Sequence, residues 1–317
     1  MAEEKRKIEW LILGRSIRGA SHVRAGLPNQ DAILCWTQAS GADSPPQKGL
    51  PLILAVSDGH GSAKCFRSDV GAFFAVWAAV QEMLHLLGNQ SDLCNLSLIK
   101  RTAEERLPQE LVRKWEQKMK ERIESIPFSS KELDGLEKKE GFVARKAVEA
   151  NPLLAYGATL LSVLVTEAFI LYLQLGDGDI LTVSETGEVT RPLPRDERLF
   201  ANETTSLCSP DAWRDFRVRF QPLVSPPALI LLSTDGYANS FRDEASFLKV
   251  GSDLLKIFRS GSLTQVDDCL EMWLNEASQV GSGDDITLGI VRCGEIKEKS
   301  AKRGSAHRPS YMSNRTV

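Results

Sequence analysis

Short apolar runs along the chain alternate with longer amphipathic stretches. The run LILAV at residues 52–56 is uniformly apolar and leads into the turn-forming sequence SDGHG, a pattern typical of a buried strand. The next stretch, residues 62–87, carries apolar residues at spacings of three and four and predicts a long core helix. The pattern therefore predicts a domain built from both strands and helices.

Other strands are predicted where apolar or alternating residues lie between turn residues. They are residues 8–16, 32–37, 157–165, 168–175, 180–183, 189–191, 216–220, 228–233 and 286–292. Amphipathic helices are predicted at residues 243–259 and 264–278.

Residues 88–151 differ in composition because mixed charges crowd them at helical spacing, which is typical of exposed helices with surface ion pairs. We interpret them as a helical insertion on the outside of a domain that spans residues 1–293. A solvated face is the favoured interpretation, and a partner surface is the alternative. Residues 294–317 are basic, nearly lack apolar residues, and are predicted to form a disordered tail.

Composition excludes several classes of function. The 317 residues are 42% hydrophobic, enough for a sizeable core, and the net charge of -3 gives no general surface for nucleic acid or an anionic membrane. The charged start lacks a signal peptide, and the longest apolar run, residues 158–175, is interrupted by Thr166 and Glu167. We therefore expect a cytoplasmic protein without a membrane span.

The six cysteines form no CxxC pair and are expected to be buried free thiols.

Candidate chemistry lies in aspartates that stand at the ends of predicted strands. They are Asp31, Asp58, Asp177, Asp235, Asp284 and Asp285. An isolated Asp-Gly pair is also a common turn, so each motif alone is compatible with an ordinary loop. Several acids confined to strand ends are harder to explain by folding, because grouped carboxylates repel each other and are costly to desolvate.

Divalent cations would remove that repulsion, and an oxygen-rich set of ligands suits Mg²⁺ or Mn²⁺ rather than zinc. Two such ions about 4 Å apart would activate a water molecule and bind phosphate oxygens, which favours hydrolysis of a phosphate ester. His60 would then protonate the leaving alkoxide, although a plain surface histidine is the alternative. The loop at residues 17–31, with Arg18, His22 and Arg24, is either a solvated loop or an anion-binding lip.

Six short motifs occur in order along the chain: NQDA at residues 29–32, AVSDGHGS at 55–62, GAT at 157–159, LGDGD at 175–179, LLSTDGYANSF at 231–241 and GDDITLGIV at 283–291. Together they resemble the metal-dependent type 2C, or PPM-type, protein serine/threonine phosphatases over about residues 8 to 293. The resemblance implies an α+β fold, a four-layer α-β-β-α sandwich in which two antiparallel sheets are flanked by helices.

The resemblance also implies a role for each matching residue and a cofactor of two Mg²⁺ or Mn²⁺ ions, with a weaker third. The implied metal residues are Asp58, which bridges both ions, Gly59 through its carbonyl, Asp235, Asp284, Asp177 for the third ion, and Asp31, which with Gln30 orders metal-bound water. His60 matches the general acid, so the implied catalytic residues are His60 and Asp58.

Four positions depart from the family pattern. Ser62 replaces a glycine, Gln30 a glutamate and Asp285 an asparagine, and the spacing of the family's phosphate-binding arginine falls on Gly26. Three nearby arginines are therefore candidates for the phosphate contact, namely Arg24, Arg18 and Arg67. The departures indicate a divergent, bacterial-type branch in which no direct metal ligand is missing.

The leading hypothesis is metal-dependent hydrolysis of phosphoserine and phosphothreonine in proteins by a metal-bridging hydroxide. The expected partner is a phosphorylated protein substrate, with a serine/threonine kinase as the counterpart enzyme, and no nucleic acid or membrane partner is expected. One alternative is a non-catalytic phosphatase-like module that binds or regulates. Another is a phosphatase for small molecules or for anti-sigma-like regulators, because selectivity depends on the surrounding loops.

Overall fold

Two antiparallel sheets form the centre of the protein. A computed structural model describes residues 9–38, 47–88, 95–195, 204–260 and 263–294. The strands are β1 Glu9–Ile17, β2 Ala32–Thr37, β3 Gln47–Lys48, β4 Leu52–Ser57, β5 Leu160–Val165, β6 Phe169–Leu175, β7 Asp179–Val183, β8 Val189–Thr190, β9 Arg217–Pro222, β10 Leu229–Ser233 and β11 Ile286–Gly294. One sheet has the order β3-β1-β11-β10-β7-β8 and the other has the order β2-β4-β5-β6-β9.

Helices cover the outer face of each sheet. They are α1 Ala20–Ala25, α2 Ser68–Gly88, α3 Leu96–Glu105, α4 Leu107–Ser125, α5 Ser130–Ala150, α6 Asp235–Ala238, α7 Glu244–Ser260 and α8 Leu263–Val280. The inner faces of the sheets share one apolar core that includes Ile12, Leu54, Val163 and Ile230. A second core lies between α2–α5 and the five-stranded sheet, and a third lies between α7, α8 and the six-stranded sheet. This arrangement confirms the predicted four-layer α-β-β-α sandwich.

The strands follow the predicted apolar runs because they are buried on both faces. Every residue of β4, β5 and β6 is buried, which explains why these strands lack the alternation of a half-exposed strand. The cysteines in the described part of the chain are free thiols, as predicted, but only Cys65 and Cys293 are buried, and the other three are partly buried. Cys94 and residues 295–317 of the predicted tail lie outside the described residues.

The predicted helix at residues 62–87 begins later than expected. A short 3₁₀ turn at Ala63–Cys65 precedes α2, which starts at Ser68. The side chain of Ser62 accepts a hydrogen bond from the Lys64 N–H, and Glu140 of α5 accepts one from the Ala63 N–H. These side-chain acceptors take up the donors of the first turn and separate it from the helix.

By length and composition alone, α2 could cross a membrane, contrary to the expectation that no apolar stretch reaches that length. Just over half of its most apolar window, 56%, is buried inside the protein. The helix packs against β4 on one side and α4 on the other. Its apolar composition therefore serves the core.

The charged stretch at residues 88–151 contains α3, α4 and α5 and is more than an exposed appendage. Trp115 and Met119 on α4 are fully buried, and the Trp115 indole N–H donates to the Gly71 carbonyl on α2 at 3.0 Å. The outer faces carry the expected surface ion pairs, for example between Arg145 and Glu149. The sparse apolar residues of this stretch lie on one face of their helices. Because that face packs inward, the helices form a second layer over α2.

Candidate metal centre

The strand pairing brings the predicted acids to one rim of the sandwich. In the five-stranded sheet, Ala32 at the start of β2 pairs with Ser57 at the end of β4, which places Asp31 beside Asp58. In the six-stranded sheet, the end of β10 lies beside the start of β11, which places Asp235 near Asp284. Because neighbouring antiparallel strands start and end at the same edge, acids far apart in sequence meet there.

Four carboxyl groups form what we call the acidic floor: Asp31, Asp58, Asp235 and Asp284. A hydrogen bond joins the carboxyl groups of Asp58 and Asp235. Burial raises the pKa of Asp58 well above its usual value, and the charges of the other three acids raise it further. Burial also raises the pKa of Asp235, an effect that the hydrogen bond from Asp58 opposes and the neighbouring acids reinforce.

Asp31 is held in place by two threonine hydroxyls. The Oγ1 atoms of Thr234 and Thr287 each donate to Asp31 Oδ2 at 2.8 Å. Burial raises the pKa of Asp31 well above its usual value, although these hydrogen bonds lower it. Sequence analysis missed both threonines as site residues. They stand inside the quoted motifs, next to Asp235 and two residues after Asp285, and that proximity was the available clue.

The backbone after Asp58 passes through a space that only glycine can occupy. Gly59 forms an isolated bridge with Ala158, and a Cβ on Gly59 would lie 2.6 Å from the Gln30 carbonyl oxygen and 2.7 Å from that of Ser68. Asp58 is fixed from the other side, because its N–H donates to Thr159 Oγ1 at 3.0 Å. The DGHG and GAT motifs are therefore two halves of one structural unit.

His60 lies next to the floor and close to Asp177. Its N–H donates to the Gly157 carbonyl at 3.1 Å, and a Cβ on Gly157 would lie 2.7 Å from the imidazole Cδ2. Burial lowers the pKa of His60, and the negative charge of Asp177 opposes that shift. The Asp177 carboxylate is exposed and also acts on Asp235. The structure thus places both predicted residues beside the floor.

Arg67 does not fit the candidate role of phosphate ligand. All five N–H donors of its guanidinium are used: Glu132 accepts two, Tyr156 accepts one, and the carbonyls of Ile126 and Pro127 accept the other two. The guanidinium also lies 4.7 Å from the centre of the Phe128 ring. Arg67 therefore connects the start of α2 to the segment between α4 and α5. Its hydrogen bonds to Glu132 are the main reason that the pKa of Glu132 falls to about 2.

The other two arginines lie on the loop between β1 and β2. Arg18 is exposed and donates to the His22 carbonyl at 3.1 Å. Arg24 is exposed, and its Nη2 would lie 3.9 Å from a Cβ on Gly283, the residue before Asp284. Both arginines therefore stay candidates for the phosphate contact, and the Arg24 guanidinium lies beside Gly283.

Two other residues of this loop face inward. The Gln30 side chain donates to Ser68 Oγ at 2.6 Å. The His22 side chain is only 13% exposed and contacts Asp285, so this part of the loop is not a solvated loop.

The acidic floor is chemically suited to hard divalent cations. No lysine or arginine forms an ion pair with Asp31, Asp58 or Asp235 among the described residues, and buried carboxylates without a cationic partner are costly. Oxygen donors of this kind are the ligands that Mg²⁺ and Mn²⁺ prefer.

The carboxyl groups of the acidic floor do not converge on a single position for a metal ion. Within the described part of the chain, no group of three or more His, Cys, Asp or Glu side chains is arranged to hold one metal. The ligand roles of the predicted residues therefore stay predictions.

Comparisons with known proteins agree with this architecture. A family model described as Protein phosphatase 2C matches residues 18–275. No curated protein matches the chain.

Similar solved structures include a bacterial serine phosphatase, with 14% identity, coverage of 91% of this chain and 99% of the other, and a TM-score of 0.53. The serine/threonine phosphatase Stp1 from Staphylococcus aureus has 14% identity, coverage of 89% and 94%, and a TM-score of 0.53. PppA, a regulatory component of T6SS in Pseudomonas aeruginosa, has 15% identity, coverage of 90% and 98%, and a TM-score of 0.50. At these identities the likeness shows a shared fold.

Proposed function

The chain belongs to the protein phosphatase 2C family of protein serine/threonine phosphatases, and from that membership we propose that it hydrolyses phosphoserine and phosphothreonine in proteins with divalent cations bound at the acidic floor. The cations we propose are two Mg²⁺ or Mn²⁺ ions, with a weaker third near Asp177. The substrate would be a cytoplasmic protein that a serine/threonine kinase phosphorylates.

The observation that carries the proposal is the set of partly buried carboxyl groups without a cationic side-chain partner among the described residues. Asp31, Asp58 and Asp235 all have a raised pKa because they are buried together. A fold would gain stability by replacing such acids with apolar residues, so their presence favours a role in binding cations. Divalent ions, when bound, supply Lewis acidity toward the phosphate oxygens and the attacking water.

The residues of the chain would divide the remaining work. Asp31, fixed by the hydroxyls of Thr234 and Thr287, presents its other oxygen, Oδ1, to accept a hydrogen bond from the attacking water. Arg24, on the same loop between β1 and β2, would neutralise part of the phosphate charge.

His60 would deliver a proton to the serine or threonine oxygen as the ester bond breaks. Its lowered pKa favours the neutral imidazole in the absence of substrate. The approach of the phosphate dianion, together with Asp177, would favour the protonated form in the complex. Proton donation would matter most for an alkyl leaving group, because an aryl oxide leaves more readily without help.

The proposed function is tested with purified protein, a phosphoserine peptide, a phosphothreonine peptide and a chromogenic aryl phosphate. We expect hydrolysis of all three when Mn²⁺ or Mg²⁺ is added and none after excess chelator, with recovery when the cation is restored. A phosphotyrosine peptide is the specificity control. Folded protein that hydrolyses none of the substrates with any divalent cation would refute the proposal and favour the binding-module alternative.

A further inference from the structure

The loop between β1 and β2 is tied at both ends to one buried carboxylate. Asp285, 3% exposed, accepts a hydrogen bond from the Gly19 N–H on Oδ1 at 2.6 Å. It accepts another from the Gln30 N–H on Oδ2, also at 2.6 Å. A single side chain at the start of β11 therefore closes a loop of twelve residues, from Gly19 to Gln30.

His22 adds a third contact from within the loop. Its Nδ1 lies 2.8 Å from Asp285 Oδ2, and its Nε2 lies 3.6 Å from Asp284 Oδ1. The next residue back, Ser21, donates through both its N–H and its hydroxyl to the Gly283 carbonyl, at 2.8 Å and 2.6 Å. The loop is thus fastened to residues 283–285, directly beside the floor.

The fastened loop carries two groups of the site. Asp31 follows Gln30 immediately, and Arg24 lies two residues after His22 with its guanidinium next to Gly283. Neither Asp285 nor His22 needs to contact the substrate to affect it. A shift of the loop would move Arg24 away from the phosphate and change the direction of Asp31.

We propose that Asp285 and His22 are positioning residues that hold the β1–β2 loop, and with it Arg24 and Asp31, in the geometry that binds phosphate. The inference rests on the proposed function. A carboxylate is suited to this task because both of its oxygens accept hydrogen bonds, and Asp285 uses one for each end of the loop. An amide has only one acceptor oxygen, and its NH₂ group would face a backbone N–H donor.

The test compares Asp285→Asn with His22→Gln, and uses Asp253→Asn as the matched control. Asp253 is also a buried aspartate, at 7% exposed, but it lies on α7 and pairs with Lys249 and Lys256. Three experiments are done at saturating Mn²⁺: amide hydrogen exchange across residues 19–30, steady-state kinetics that give kcat and KM for the aryl phosphate, and calorimetric binding of inorganic phosphate.

In Asp285→Asn, we expect faster exchange at residues 19–30 and about a tenfold rise in both KM and the dissociation constant of phosphate, with a smaller change in kcat. His22→Gln should change the same quantities in the same direction by less, and it keeps the proposal testable if Asp285→Asn does not fold. Asp253→Asn should lower the melting temperature without changing KM or phosphate binding.

Two results would overturn the positioning role. Unchanged exchange across the loop would show that Asp285 does not hold it. Faster exchange with unchanged phosphate binding would show that the loop does not position the site. Phosphate binding needs no turnover, so these results remain decisive even if wild-type protein proves inert and the proposed function fails.

Discussion

Asp58, which is partly buried, and Asp179, which is buried, are acids at the same rim of the sandwich, yet their surroundings are opposite. Asp179 begins β7, beside Ser233 at the end of β10, and its Oδ1 accepts a hydrogen bond from Arg191 Nε at 2.6 Å. Asp58 follows β4, and the charged groups that act on it are the acids of the floor. Burial raises the pKa of both carboxyl groups, but Arg191 lowers that of Asp179 while the neighbouring acids raise that of Asp58 further.

Under the proposed function, the contrast separates an acid that serves the fold from an acid that would bind a cation. The chain supplies its own cation to Asp179, and Arg191 in turn pairs with Glu244 of α7 at 2.6 Å. It supplies none to Asp58 among the described residues. An acid that the fold has paired with its own cation is expected to cost the fold little, whereas an acid that the fold has left uncompensated is expected to reduce stability until a cation binds.

The largest expected effect comes from Asp58→Asn. Removing this charge should lower turnover of the phosphoserine peptide by at least about a thousandfold, because the floor would lose its central carboxylate. The melting temperature in chelator should stay equal or rise, since one source of repulsion is gone. Steady-state kinetics and thermal unfolding measure the two quantities on the same preparation.

Asp235→Asn is the companion variant. It should lower turnover and leave the melting temperature equal or higher, as Asp58→Asn does, because the Asp235 carboxyl group interacts directly with Asp58. Turnover within about tenfold of wild type in either variant would contradict the role of the floor in catalysis.

Removing the cationic partner of Asp179 is expected to have the opposite effect, a loss of stability with little change in turnover. Arg191→Met leaves the Asp179 carboxylate buried without its partner and should lower the free energy of unfolding by about 3 kcal/mol. At saturating cation and a temperature where the variant is folded, turnover should stay within about threefold of wild type. Denaturant unfolding and steady-state kinetics measure the two effects.

The double variant Asp179→Asn with Arg191→Met controls for the lost contact. It removes the orphaned charge and should recover part of the stability that Arg191→Met loses. If Arg191→Met instead lowers turnover as strongly as Asp58→Asn does, the distinction between the two acids is wrong.

The strands could be predicted from the sequence because they are buried on both faces, whereas their arrangement in a four-layer sandwich was implied by the resemblance to the phosphatase family. Runs such as β4 and β6 are continuous and apolar, so their position and type follow from composition and length. The later start of α2 could not be predicted, since it depends on Glu140, a residue distant in sequence that takes up the Ala63 N–H. Helix ends that rely on such distant acceptors leave no local pattern.

The candidate site was predicted in part. The acids of the floor could be found because each stands at the end of an apolar run, and antiparallel pairing then brings the ends together. The hydrogen-bond and ion-pair partners of a side chain that lie far away in the sequence could not be predicted. Arg67 seemed available for phosphate from its place in sequence, but Glu132, 65 residues away, occupies it. The same limit hid the two threonines that hold Asp31.

The smallest effect, and the most direct test of the uncompensated charge, is the pH dependence of stability. The pKa values of Asp31, Asp58 and Asp235 are raised above the ordinary 3.8, so the folded protein holds protons that the unfolded chain has released. Stability without cations should therefore fall as pH rises through the raised pKa values. Divalent cations bind the ionised carboxylates, so the rise in melting temperature that Mn²⁺ produces should be larger at about pH 8 than at about pH 5.5, by about 2–4 °C.

Burial also raises the pKa of Asp179, so Asp179 adds to the loss of stability without cations, but it pairs with Arg191 and is not one of the acids to which we assign the Mn²⁺ effect. Acids with a lowered pKa do not produce this trend over the same range. The pKa values of Glu132 and Asp243 are lowered to about 2, so the stability that they contribute is complete at both measured pH values and is lost only in stronger acid. Asp58→Asn should reduce the pH dependence of the Mn²⁺ effect, whereas Arg191→Met should leave it unchanged. An Mn²⁺ effect that is equal at both pH values would mean that cations do not bind the acids whose pKa burial has raised, and the contrast between Asp58 and Asp179 would then concern folding alone.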